Sequence, residues 1–225
     1  MANIYIPCTD PEKWRDFLAA PEKHWRTAYS AKTLAYSWSE ANGFPVEVDV
    51  VLRSSPQFRD IEVLLAIPEH QVPLPGGARP SQNDVWVLAR AGRELVSIAV
   101  EGKVNEPFDK RVREWQAEPS SGKSRRLDFL ASTLELPISQ LDGIHYQLLH
   151  RTASALIEAQ RYNAAHAVML VHSFSQTREH FEDYQQFVML FGRNAAPETV
   201  VPVEPRSGIS LHFAWVTGNH EYLTR

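Results

Sequence analysis

Apolar and polar positions divide this chain into elements before any chemistry is considered. Val85 to Ala89 and Leu95 to Val100 are short runs rich in Val and Ile, the pattern of strands buried on both faces. Ala91-Gly92-Arg93 lies between them as a hairpin turn, with glycine tolerating positive φ. That spacing sets Ala91 against Glu94 and Asp84 against Glu101. Glu62 to Pro68 reads as a preceding strand, followed by a proline-rich loop through Pro73, Pro75 and Pro80. Further upstream, DPEKWRDFLA opens with an Asp cap and a proline suited to the first helical turn. Ser30 to Ala41 predicts a helix capped by Ser30 and stopped by Asn42-Gly43, and Pro45 to Leu52 a short strand or extended link. Downstream, helices are expected over about 109–116, 123–134, 145–160 and 178–191. The near-continuous apolar run from Ala165 to Phe174 is a buried strand, and two strands follow over 199–203 and 209–216.

This order predicts one α/β domain with a central mixed sheet flanked by helices, its core at about 30–175 and a C-terminal extension at 176–225. Composition leaves the picture unchanged: 44% hydrophobic and 22% charged residues are ordinary for a globular chain. No window approaches the roughly 20 apolar residues that span a bilayer, so no membrane partner is expected. The start, MANIYIPCTDPEKW, lacks a basic segment leading into an apolar one, and no signal peptide is read there. Cys8 has no second cysteine to pair with, which suits a reducing cytoplasm. A packing role is expected of Cys8 ahead of a nucleophilic one.

Charge narrows the range of partners. A net charge of −4 argues against broad, sequence-independent duplex binding, although a protein that grips nucleic acid need only be locally basic. The local basic stretch is Lys110, Arg111 and Arg113 with Lys123, Arg125 and Arg126, read first as the solvated face of two helices. In HWRTAYSAKTLAYSW, aromatic and cationic residues interleave; they can stack bases and meet phosphates, and core packing explains the aromatics about as well. Gly122-Lys123-Ser124 lacks the earlier glycine of a phosphate loop and is rejected as one. His166 and His172 share a strand face without a third clustered ligand and are read as core or edge residues; His145 and His150 have the wrong spacing for a helical zinc pair.

The chemistry concentrates in SQNDVWVLARAGRELVSIAVEGKVNEPF. Alternation along a strand sends Glu101 and Lys103 to one face, and the hairpin brings Asp84 opposite Glu101. Two carboxylates together repel unless a proton or a cation neutralises them. Magnesium accepts one or two carboxylates and leaves positions for phosphate oxygens, and a neighbouring lysine can position water. A Glu-x-Lys on a strand is more often a solvated edge pair, but here the charges enter the apolar run SIAVEGKV, where burial demands a partner. Glu69 and His70 are further ligand candidates at the loop, with a surface position expected of both.

Asp84, Glu101 and Lys103 together resemble the motif of the PD-(D/E)XK phosphodiesterase superfamily, in which an Asp opening one strand precedes Glu-x-Lys on the next. Asn83 stands where that motif has proline, with Pro80 close upstream. The resemblance covers roughly residues 30–175, and the wider stretch is similar to uncharacterised bacterial proteins assigned to this fold. It implies an αβββαβ core like that of restriction endonucleases. It also implies a Mg (or Mn) ion on Asp84 and Glu101, Lys103 positioning water, Glu40 as a further ligand or base, and Gln147 as a substrate contact. The function implied is metal-dependent phosphodiester hydrolysis on DNA. Two alternatives stand beside it: a catalytically inactive nucleic-acid or protein-binding module on the same fold, and a hydrolase of small phosphates. A homodimer is compatible with either.

Overall fold

The hairpin expected from the two Val- and Ile-rich runs lies within the sheet of the computed structural model, which describes residues 10–225; Cys8 lies outside the described residues. Strands β1 (Ile61–Val72), β2 (Ser81–Ala91) and β3 (Glu94–Lys103) form an antiparallel meander. β4 (His166–Ser173) pairs parallel to β3, and β6 (Ser210–Thr217) parallel to β4. β5 (Thr199–Pro202) closes the far edge against β6, giving the order β1-β2-β3-β4-β6-β5. The mixed sheet flanked by helices is therefore the architecture the sequence predicts, and the two strands expected after residue 198 join it as β5 and β6.

Helices cover both faces. α2 (Ser30–Glu40) and α3 (Val46–Ser54) bury Leu34, Trp38, Val48 and Leu52 against Val87, Ile98, Val100 and Val168. α5 (Ser121–Leu134), α6 (Tyr146–Arg161) and α7 (Phe181–Met189) bury Leu130, Leu149, Ala155 and Phe187 against Ala99, Met169, Leu211 and Phe213. Burial on both faces explains why β3 and β4 read as continuous apolar runs. Short helical pieces complete the set: α1 (Pro21–His24), α4 (Val112–Trp115) and a 3₁₀ turn at Pro11–Phe17 whose N-cap is the expected Asp10, accepting from the Glu12 N–H.

Three expectations are corrected. Residues 46–54 form a helix, not a strand or link. Val48, Val51 and Leu52 are buried at i, i+3 and i+4, while Val46 and Val50 are 77% and 63% exposed. The V-E-V-D-V alternation there mimics a strand because one valine in two happens to fall on the solvent side. Ser30 is the first residue of α2 and not its cap; its N–H donates to the Glu106 carboxylate at 2.9 Å. The helix expected at 109–116 shrinks to Val112–Trp115. His166 and His172 are buried as anticipated: His166 meets Glu94 and His212, and His172 meets Trp38 and Glu47. Among the described residues no helix is long and apolar enough to cross a membrane.

Candidate functional site

The ladder carries three carboxylates into one row. β2 and β3 are in register from Ala91↔Glu94 to Val85↔Val100, and Asp84 and Glu101 are the next residues of the two strands. β1 and β2 are in register at Pro68↔Val85 and His70↔Asn83, which sets Glu69 against Asp84. The row lies at the carboxyl end of β3, beside the parallel strands, where open α/β sheets commonly bind ligands. It forms one wall of a cleft of about 380 Å³, which the start of α2 and the first turns of α6 also line.

Each side chain is held by its strand and by a partner. The Lys103 ammonium donates to Glu101 Oε1 at 2.8 Å and to Gln147 Oε1 at 3.0 Å, and sits 4.9 Å from the centroid of the Phe108 ring. Arg151 Nε donates to Glu101 Oε2 at 2.5 Å, and its Nη2 lies 3.6 Å from Asp84 Oδ1. The Gly102 N–H donates to Asp84 Oδ2 at 2.8 Å. Gly102 faces the opposite side of β3, where an added Cβ would sit 3.2 Å from Leu34 Cδ2, so the residue between Glu101 and Lys103 is small because α2 packs on it. Asn83 lies within β2 opposite His70, where proline would remove a ladder donor.

Electrostatics divide the row. Burial would raise Glu101, but Arg151 and Lys103 overcome it and hold the carboxyl below its usual range. Burial and the charge of Glu101 push Asp84 up to about 7, against the pull of Arg151 and Lys103. Burial and the charge of Asp84 raise Glu69 well above the usual carboxylate range, with only the Gln82 amide, 2.7 Å away, as a close opposing partner. Glu101 is thus fully compensated from within the chain. Asp84 and Glu69 lack enough positive charge for two anions, and a proton or an added cation satisfies them.

The donor set is oxygen only, which suits Mg or Mn in kind. Among the described residues no group of three or more His, Cys, Asp or Glu is drawn close enough to hold a metal ion, because the Arg151 guanidinium stands beside Glu101 and Asp84. The fit is therefore chemical at Asp84 and Glu69, and at Glu101 it is shared with two cations.

Of the residues singled out in the sequence, Asp84, Glu101, Lys103 and Gln147 converge on the cleft. Glu40 does not. It ends α2 and pairs with Arg225 at 3.1 Å, whereas Ser30, at the other end of the same helix, lines the cleft; ten residues of helix separate the two by about 15 Å. The helix enters the cleft N-terminus first, so its C-terminal acid points away. His70 turns from the site to stack on Trp86 beside Glu158. Glu69, expected at the surface, is in the cleft. Arg151 was not assigned to the site either, yet it lies one helical turn after Gln147, and placing Gln147 on the sheet places Arg151 there too. Glu106, which lines the cleft and caps α2, carries no local sequence signal at all.

Fold and site together define a mixed α/β domain with a buried acid–base cluster at one end of its sheet. Over residues 7–220 the sequence matches the family described as a domain of unknown function, DUF6946, and the chain belongs to that family. Comparisons with curated proteins and with solved structures give no match.

Proposed function

We propose that the cleft is the active site of a metal-dependent phosphodiester hydrolase acting on DNA, built on a core of the restriction-endonuclease type. The observation that carries this reading is the under-neutralised pair of Asp84 and Glu69 beside Glu101 and Lys103, on adjacent strands at the end of the sheet. The succession of α2, β1–β3, α6 and β4 is consistent with it. Asp84 and Glu101, with Glu69 beside them, are the residues that would hold Mg or Mn. The ion, when bound, supplies a Lewis acid for the phosphoryl oxygen and lowers the pKa of water. Lys103, fixed between Glu101 and Gln147, positions the water nucleophile or the developing charge. Gln147 keeps its amide NH₂ for a substrate oxygen while its carbonyl accepts from Lys103.

One observation favours a second reading, a binding module that has lost catalysis: Arg151 supplies from within the chain part of the charge a metal would bring. Calorimetry with Mn²⁺ separates the two. The hydrolase binds Mn²⁺, and Asp84→Ala abolishes both that binding and Mg²⁺-dependent cleavage of DNA while the circular dichroism spectrum stays native. Absence of Mn²⁺ binding, or cleavage that survives Asp84→Ala, overturns the hydrolase reading.

A further inference from the structure

A second cavity of about 360 Å³ adjoins the cleft, and Asp109 lines both. Successive residues of α6 divide between them: Gln147 and Arg151 face the cleft, Tyr146 and His150 the second cavity. The two differ sharply in charge. Five carboxylates, those of Glu69, Asp84, Glu101, Glu106 and Asp109, line the cleft against Lys103 and Arg151. Arg79, Lys110 and Arg126 line its neighbour against Asp109 alone.

Arg126 is the built part of this cavity. It is 8% exposed, and its Nε and Nη2 donate to the carbonyl oxygens of Pro75, Leu74 and Gly77. None of the ion pairs among the described residues includes it. A buried guanidinium held by carbonyls and the Tyr146 hydroxyl, with no ion-pair partner, keeps its full charge and attracts an anion. Arg79 and Lys110 are exposed and equally absent from those ion pairs. Burial and the charges of Arg151, Arg126 and Lys103 keep His150 well below its usual pKa, as expected of a wall in a positive field. One side of the cavity is aromatic: Trp115 stacks on Tyr146 with centroids 4.2 Å apart and planes 8° apart. That pair makes a rigid aromatic wall, with the Lys123 ammonium 5.7 Å from the centroid of the Trp115 ring.

We propose that this cavity is a phosphate-binding subsite that takes the 5′-phosphate of a nucleotide chain and leads that chain across Asp109 into the acidic cleft. The proposal rests on the hydrolase reading for its second half only. Cations on one side of the wall fix the backbone, while the carboxylates on the other receive the bond to be broken.

The test is calorimetric titration of the full chain, in EDTA, with a 5′-phosphorylated thymidine tetranucleotide. The wild type binds it, and the Arg79→Ala/Lys110→Ala double variant, altered only at exposed positions, binds at least about tenfold more weakly. The slope of log K against log salt falls by about 1.4 in the double variant, as two lost phosphate contacts on a single strand require. An affinity unchanged in the double variant, or no binding to the wild type, overturns the subsite. Tetranucleotide binding without Mn²⁺ binding at Asp84 leaves the subsite standing and removes the hydrolase; cleavage with no such binding does the reverse.

Discussion

At the scale of single residues, Arg151 is the most informative side chain in the molecule. It is buried and shared between Glu101 and Asp84, so Arg151→Met leaves a buried and a half-buried acid facing one lysine. Breaking such a pair from one side is expected to cost about 3–5 kcal/mol. A bound divalent ion supplies the missing charge, so 10 mM Mg²⁺ should restore a measurable part of the lost thermal midpoint in the variant. If Mg²⁺ leaves that midpoint where it was, the row does not take the ion. Asp84 gives a second handle. Its folded pKa, near 7, lies above its unfolded value, so the folded state binds the extra proton and Asp84 loses stability as pH rises between the two. His150 and His212 are depressed and act in the opposite direction at mildly acidic pH, so the effect must be read as a difference. The stability of Asp84→Asn relative to wild type should grow by roughly 1 kcal/mol per unit from about pH 5 to 7, followed by urea denaturation. A flat difference contradicts the raised pKa.

Elements are positioned here by contacts distant in sequence. One carboxylate ties the N-terminus of α2 to the end of β3: Glu106 Oε1 accepts from Ser30 N–H at 2.9 Å and Oε2 from Val104 N–H at 2.8 Å. Burial would raise Glu106, but these N–H groups hold it below its usual range, so its contribution is present above the unfolded pKa and lost as pH falls through the folded one. Glu106→Ala should destabilise the protein by about 1–2 kcal/mol at neutral pH, the range of lost caps, measured by chemical denaturation. The loop leading to β2 is set in a similar way. Gly76 has φ +82°, and an added Cβ would fall 2.1 Å from the Gly122 carbonyl oxygen. Gly76→Ala should therefore cost more than about 2 kcal/mol, whereas Gly92→Ala, at φ +60° with nothing within 4 Å, should cost about 1. Equal losses at the two positions would show that the loop does not press on α5. The same contact explains Gly122-Lys123-Ser124, whose glycine admits the loop and not a phosphate.

Across the whole molecule, the sequence was most readable where one strand's pattern sufficed. The β2–β3 hairpin has a two-residue turn, so its register, and with it the meeting of Asp84, Glu101 and Lys103, followed from counting. Glu69 joins that row across an eight-residue loop from Pro73 to Pro80, whose length leaves the register of β1 open. Glu40 failed for a related reason: periodicity locates a helix but not which end it turns to the sheet. In α3, alternation over five residues suited two periods, and only packing against the sheet decided between them. Arg126 reads as part of a solvated face because a basic run carries no mark of the one member that turns inward. The mixed sheet itself was legible, since buried parallel strands write their environment into every position.

Glu69 also carries a burden of shape as well as charge. It sits within β1 in the left-handed region, at φ +53°, with paired neighbours on both sides that prevent the backbone from relaxing. Glycine at this point would relieve roughly 1 kcal/mol of steric conflict and remove a half-buried acid that lacks a cationic partner at close range. Glu69→Gly should thus melt at a higher temperature than the wild-type protein and, under the hydrolase proposal, lose cleavage, so a calorimetric scan beside a cleavage assay would reveal durability and competence moving in opposite directions.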